Sequence, residues 1–438
     1  MKKVIIVSQE FPKTQGGVLA GIGSYADTLS KLLISKGIQV IVLTEGKSSS
    51  KDKDLEVMGR ESSNLWDNLS SPEDYIDQAR MFKEWAAERL YQFADRDYIV
   101  HIQDSHFGDL ARVAKQVGYR NVIITFHHLV LELFFSVAGR QKKKVTLSEG
   151  LSAFLRLAGF ASFPYARACM TNLLFSSRLD KILKTKANFD LASAEYHGLK
   201  WADTVTVPSP SMKTWLSLAY NGLIPSHEIM RKVQLVPNTI IAPRLHGIRK
   251  SNAILSISRI APQKGIEYLL DAFKIISKNH GDTEPWLAGT VSGQFKEYGE
   301  FVLRKGQEMG NVLWLGKLSE EEKWIRMSSA QIFALPSVYE ALPLTALEAM
   351  SVGTPVVSFA NDGSQFLLSG GGGIVVRKRN AKSLAKAIMF LLENEERMRE
   401  MGIKAKQVFE KQFSNDKFID RIRAIYEMGA SPVLKSVS

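Results

Sequence analysis

The chain has 438 residues, enough for two domains with full cores, and its apolar content of 45% is ordinary for a globular protein. A single cysteine, Cys169, excludes an internal disulfide framework and fits a reducing, cytoplasmic compartment, and no uncharged run is long enough to span a bilayer. The net charge of +12 is concentrated between Arg140 and Lys186, where ten Lys or Arg stand against two acids, a local surplus of +8 that suits an anionic membrane surface or acceptor; with no zinc-finger or RNP signature beside it, nucleic acid is not an expected partner.

Met1-Lys-Lys precedes an apolar run too short for a signal peptide, and Lys3 to Ser8 reads as a buried first strand. A loop containing Gly16, Gly17, Gly21 and Gly23 follows. Its backbone N–H groups suit either close approach to a phosphate or a plain tight turn. Ser24 is placed to cap a helix from Tyr25 to Ser35, and Ile38 to Leu43 is a second strand. Ser48 to Asp54 reads as a polar loop. Ser71 to Phe93 is helical, with Pro72 at its start. Tyr98 to Gln103 is a strand, Phe107 to Val117 a helix closed by Gly118, and Asn121 to Phe126 a strand leading into His127 and His128.

The alternation breaks over 129–190, where aromatic residues such as Phe134, Phe154 and Tyr165 mix with the basic ones. Two readings stand: helices whose Lys142–Lys144 run is a solvated face, or a peripheral membrane-binding or acceptor-binding lid. Ala192 to Trp201 is then a helix, Thr204 to Val207 a strand, Ser211 to Tyr220 a helix and Val233 to Val236 a strand. A linker is expected over Ile240 to Ser251, where Pro243 and Gly247 sit among basic residues.

The second half repeats the pattern. Strands are expected at Ala253 to Ile257, Trp286 to Gly289, Val312 to Leu315, Ile332 to Leu335, Val356 to Phe359 and Ile374 to Val376. Helices are expected at Ile266 to Ser277, Gln294 to Met309, Glu320 to Ser328, Leu344 to Met350, Ala381 to Leu392, Glu395 to Phe413 and Asp416 to Met428, before a frayed tail.

Two features of this half carry chemistry. Arg259 and Lys264 lie in the loop after its first strand. Glu340 and Glu348 flank a strand-to-helix turn, Glu340 just before the helix and Glu348 about two turns inside it. Parallel strands bring both loops to the C-terminal edge of the sheet, where open α/β sheets bind anionic ligands. Cations there can clamp a diphosphate and stabilise charge growing on a leaving group. Other titratable sets read as bland. Asp52-Lys-Asp54 and Asp95-Arg-Asp97 are solvated charges, and His101, His106 and His128 form no convincing metal set with Asp104.

The pattern Ser-Arg259-x4-Lys264-Gly, Glu340-x7-Glu348 and Ala-Met-x-x-Gly353-x-Pro355-Val-Val resembles the retaining GT-B glycosyltransferases, in particular glycosyltransferase family 4, also called glycosyl transferases group 1. Gly16-Gly17, Thr125-x-His127 and Val236-Pro-Asn238 agree with it. Segment 129–190 does not, and Asn361-Asp-Gly-Ser-Gln365 stands where the family often has Gly-Gly-x-x-Glu.

The resemblance implies an α/β GT-B fold, two Rossmann-like doubly wound domains facing a cleft. The N-terminal acceptor domain would cover 1–240 with its basic-aromatic segment at 129–190, and the nucleotide-sugar domain 241–415. The helix in 416–438 would pack back toward the N-terminal domain. The resemblance also implies a retaining hexosyltransferase. It would move a hexose from a UDP- or GDP-sugar to a hydroxyl acceptor by front-face transfer, with no cofactor and no metal. Arg259 and Lys264 would bind the diphosphate, Glu340 the hexose and Glu348 the ribose. The N–H groups over Leu342, Leu344 and Thr345 would lie near the phosphates, which Pro343 cannot share. Gly16 and Gly17 would close over the phosphate, His127 would lie near the transferred sugar, and Gly316 to Leu318 would lie by the base. The alternatives are a sugar-nucleotide 2-epimerase on this fold and a non-catalytic membrane-associated scaffold.

Overall fold

The first strand, Lys3–Val7 (β1), is apolar on both faces and wholly buried beyond Lys3, as a central parallel strand must be when helices cover both sides. A computed structural model describes residues 3–12, 21–46, 49–61, 72–93, 95–129, 186–220, 223–291 and 295–428. Gly16 and Gly17, nearly all of the 129–190 segment with Lys142–Lys144, and the tail beyond Met428 lie outside those residues.

Two compact units are present, Met1–Pro237 with Phe418–Ser438, and Asn238–Lys417. In the first, helix α1 (Gly21–Ser35) leads to β2 (Gln39–Glu45), and a short β3 (Ser50–Lys51) pairs antiparallel with β4 (Leu55–Arg60). Helix α2 (Pro72–Gln92), β5 (Ile99–Gln103), α3 (Asp109–Val117) and β6 (Asn121–Thr125) follow. Then come α4 (Lys186–Trp201), β7 (Thr204–Val207), α5 (Pro210–Tyr220), α6 (Ser226–Lys232) and β8 (Val233–Leu235). The sheet order is β3-β4-β2-β1-β5-β6-β7-β8. The order reverses between β1 and β5, so the switch point lies over the loops that follow those strands.

The second unit holds β9 (Ala253–Ile257), α7 (Ile266–Ile276), β10 (Glu284–Ala288), α8 (Lys296–Gln307), β11 (Leu313–Gly316) and α9 (Glu320–Ser329). It continues with β12 (Ile332–Leu335), α10 (Leu344–Ser351), β13 (Val356–Phe359), α11 (Asp362–Leu368), β14 (Gly373–Val376), α12 (Ala381–Leu392) and α13 (Glu395–Gln412). The order β11-β10-β9-β12-β13-β14, all parallel, is the doubly wound 3-2-1-4-5-6. Alternation places Ala253, Leu255, Phe333 and Leu335 in the core under α10 and α13, and Ile254, Ile332 and Ala334 in the core under α7 and α12. The last helix, α14 (Asn415–Met428), sets Phe418, Ile419 and Ile422 into the core of the first unit beside Val4 and Leu29.

Several local expectations need correction. Ser24 does not cap α1, which begins at Gly21; the Glu10 carboxylate instead accepts from the Gly23 N–H at 3.1 Å. The polar loop at Ser48 to Asp54 contains β3, and β4 beyond it was not anticipated, because the run Leu55-Glu-Val-Met-Gly-Arg alternates weakly. Helix α6 was also missed. Helix α11 was read as loop, although Asn361 followed by Asp362 is an N-cap signal. Glu348 lies one turn into α10, since the helix begins at Leu344.

Candidate functional site

In the second unit, β9 and β12 are neighbours at the reversal of strand order, so the loops 258–265 and 336–343 leave the same edge side by side. The Val338 N–H donates to the Gln263 carbonyl at 2.9 Å, stitching the loops together. A 3₁₀ turn, Pro262–Lys264, shapes the first loop, and Gly265 enters α7 with φ 66°, a left-handed conformation that a side chain would oppose. The result is that Lys264 Nζ meets Glu340 Oε1 at 2.7 Å, with both side chains mostly shielded from solvent. Arg259 is exposed in the same loop, and no described residue forms an ion pair with its guanidinium.

The next loop secures the backbone that carries the Glu340 carboxylate. Asn361 caps α11 by accepting from the Ser364 N–H at 2.9 Å, and its Nδ2 donates to the Ser337 carbonyl at 3.0 Å. The Gly363 N–H donates to the Glu340 carbonyl at 3.0 Å; a Cβ at Gly363 would lie 2.3 Å from that oxygen, so only glycine fits. Gln365 is exposed.

Helix α10 starts beside these groups. Its N-cap is Pro343, which offers no side-chain cap, so the first-turn N–H groups at Leu344 and Thr345 are placed to receive an anion, and Leu342 just precedes them. Glu348, buried one turn further, pairs with Lys323 of α9 at 2.7 Å, and Lys323 also bonds Glu320 at 2.9 Å. Burial pushes the Glu348 carboxyl up, opposed by the Lys323 ammonium. Burial works against the Lys323 charge as well, but Glu348 and Glu320 outweigh it and raise its pKa. Gly316 ends β11 on the same edge with φ 61°, and Leu318 precedes the Ser319–Glu322 capping box that starts α9. Every site residue expected in this half therefore lies on one sheet edge. Lys323 escaped the sequence reading because nothing local links it to an acid 25 positions away.

The corresponding edge of the first unit carries histidines. His127 Nε2 lies 3.1 Å from Gln103 Oε1, and its ring meets Tyr25 edge-on at 4.6 Å. Burial holds its pKa down at about 4, against the pull of the Asp104 carboxylate, so the ring is neutral near pH 7. The reading that His101, His106 and His128 form no set with Asp104 is corrected in part. His106 and His128 do converge on Asp104, each with Nδ1 3.5 Å from a carboxylate oxygen. His101 instead joins Tyr426 at 2.8 Å and Thr125 at 2.7 Å in a buried network. Asp95 and Asp97 are exposed, and Asp52 lies in the turn between β3 and β4. Among the described residues no helix is long and apolar enough to cross a membrane.

The sequence matches the profile described as Glycosyltransferase Family 4 over residues 19–241 and that of Glycosyl transferases group 1 over 242–408. Among curated relatives, an uncharacterized glycosyltransferase of Methanocaldococcus jannaschii is 28% identical over 177 residues, 40% of this chain and 47% of that one. A trehalose synthase of Pyrococcus horikoshii is 30% identical over 38% of this chain and 42% of its own. A phosphatidyl-myo-inositol mannosyltransferase of Mycobacterium leprae is 28% identical over 35% and 41%. The chain thus spans about half or less of the length of these relatives. Among solved structures, sucrose-phosphate synthase of Thermosynechococcus elongatus superposes with TM-score 0.71 at 17% identity, covering 98% of this chain and 99% of that one. HepE of Anabaena in complex with UDP and glucose gives 0.65 at 14%, covering 98% and 100%. These likenesses establish the GT-B fold.

Proposed function

Since the chain belongs to Glycosyltransferase Family 4, we propose that it is a retaining hexosyltransferase that moves a hexose from a nucleoside-diphosphate sugar to a hydroxyl acceptor. The observation that carries this reading is the Lys264–Glu340 pair at the switch point of the second unit, beside the open N-terminus of α10 and the exposed Arg259. Cations and a carboxylate on one edge match a ligand that is anionic at one end and hydroxylated at the other.

In this reading Arg259, Lys264 and the N–H groups of Leu344 and Thr345 hold the diphosphate. Glu340 accepts hexose hydroxyls and Glu348 the ribose hydroxyls. The bond from the anomeric carbon to the phosphate oxygen breaks as negative charge gathers on the nucleoside diphosphate. The acceptor oxygen bonds to the same face of that carbon, and its proton passes to a phosphate oxygen. The leaving group needs charge stabilisation more than it needs a protein acid, and the fixed cations and helix dipole supply it without a metal. This differs from retaining glycosidases, which use two carboxylates as nucleophile and acid. Neutral His127 suits a hydrogen bond to a sugar hydroxyl better than an ion pair.

HepE was solved with UDP and glucose, and a Corynebacterium glutamicum relative is named as GDP-mannose-dependent, so UDP- and GDP-sugars are the donors to test. The Mycobacterium leprae relative's name and the surplus of +8 between Arg140 and Lys186 support a lipid-linked acceptor at the cytoplasmic face of a membrane. Nothing among these observations favours the 2-epimerase or scaffold reading. The test is Arg259→Ala. Transfer should fall about 100-fold or more, the scale of one lost transition-state partner, and nucleotide affinity should weaken in titration calorimetry. Unchanged nucleotide binding would sink the assignment.

A further inference from the structure

Lys323 and Glu348 stand on different helices that the fold holds at a fixed spacing. The Thr354 hydroxyl donates to the Met327 carbonyl at 2.7 Å, tying the chain just past α10 to α9. Trp324 and Met327 of α9 share one core with Ala346, Leu347 and Met350 of α10. The Ser319–Glu322 capping box sets the start of α9, so the backbone that carries Lys323 is fixed one turn in. The Lys323 ammonium contacts Glu320 Oε1 and Oε2 at 2.9 Å each and Glu348 Oε1 at 2.7 Å. These contacts match the donor capacity of an ammonium, which leaves Lys323 little to offer a ligand directly.

The Glu348 carboxylate, by contrast, is only half engaged. Its side chain is 9% exposed. Oε1 meets Lys323, whereas Oε2 accepts no hydrogen bond from a described residue and yet is not sealed from solvent. A purely structural ion pair this deeply buried would satisfy both oxygens. Burial favours the neutral acid, and the Lys323 ammonium opposes it. One oxygen is therefore clamped by a cation, and the other is left with open acceptor capacity, which suits a ligand hydroxyl. Glu348 lies four residues beyond Leu344, about 6 Å along the helix at 1.5 Å per residue. A nucleotide whose phosphates sit at the start of α10 can bridge that span with its ribose.

We propose that Lys323 is a positioning residue for nucleotide recognition: it clamps Glu348 Oε1 so that Oε2 is held for the ribose hydroxyls, and in this way sets the preference for a ribonucleotide over its deoxy forms. The proposal rests on the reading of Glu348 as the ribose contact and deepens it. Lys323 acts through Glu348 and does not touch the donor. Glu320, in the first turn of α9, holds the ammonium from its other side.

The test is titration calorimetry of the full chain with UDP and GDP, and with the 2′-deoxy and 3′-deoxy forms of the tighter binder. The unmutated chain should prefer the ribonucleotide by about tenfold or more over at least one deoxy form, the scale of a hydrogen bond to a charged group. In Lys323→Met, checked for native far-UV circular dichroism, that preference should fall to about threefold or less, while affinity for the same deoxy form changes less. Lys323→Gln, which keeps a donor but loses the charge and the reach, should behave alike and decides the matter if the Met variant does not fold. A merely structural role would weaken all the nucleotides together and leave the preference intact. A folded variant that keeps the full preference overturns the positioning role and leaves Glu348 as the ribose contact. No preference in the unmutated chain overturns the ribose reading of Glu348, and the proposal with it.

Discussion

The two sheets have the same reversal of strand order, yet the acids in the loops at the two switch points have different partners. In the second unit each motif acid meets a lysine: Glu340 meets Lys264 and Glu348 meets Lys323, both at 2.7 Å, with Arg259 exposed beside them. In the first, the buried Asp104 meets imidazoles. Topology builds an edge where loops converge, and side-chain chemistry decides what that edge accepts. Lysine and arginine stay charged near pH 7 and suit phosphate, whereas imidazole can be neutral and act as a hydrogen-bond partner or a metal ligand.

The largest effect that can break this comparison is expected from Lys323→Ala. It leaves Glu348 buried beside no cation, which should cost about 3–5 kcal/mol of stability by urea unfolding. Adding Glu348→Gln should restore most of it; a single variant as stable as the parent would mean that the pair is not a paired charge at all. A middle effect is expected at Gly363→Ala, where the new Cβ would sit 2.3 Å from the Glu340 carbonyl. The backbone must shift, at about 1–3 kcal/mol, and with it the carboxylate facing Lys264. Donor KM should rise while far-UV circular dichroism stays native, and an unchanged KM would show that Glu340 does not need this support.

A pH-dependent effect sharpens the contrast from the imidazole side. Burial holds His101 down at about 3, well below its ordinary value. The unfolded chain binds the proton from about pH 6.5 downward and the folded chain resists it, so this contribution is present above that pH and is lost as pH falls toward 3. Replacing His101 by Gln removes the titration. The stability difference between parent and variant should therefore shrink from pH 7 to pH 4, and a constant difference would contradict the buried neutral ring.

Much of the architecture was legible because apolar strands and amphipathic helices alternate by local rules. The strands Thr204–Val207, Ala253–Ile257, Ile332–Leu335 and Val356–Phe359 were read with their observed ends, each a short apolar or β-branched run between turn signals. Less legible were β4, α6 and α11, whose patterns are short and weakly periodic. The four motif side chains Arg259, Lys264, Glu340 and Glu348 were singled out by their spacing along the chain, and the structure places them in loops and a helix start along one sheet edge.

By itself, then, the sequence determined most of the succession of elements, the family pattern and the edge on which the motif acids and cations fall, because periodicity and turn residues act over a few neighbours. Only the tertiary structure decided which charges meet. Lys323 reaches Glu348 from another helix, and His106 and His128 converge on Asp104 from two loops. Strand order sets such distances, and no local spacing encodes it.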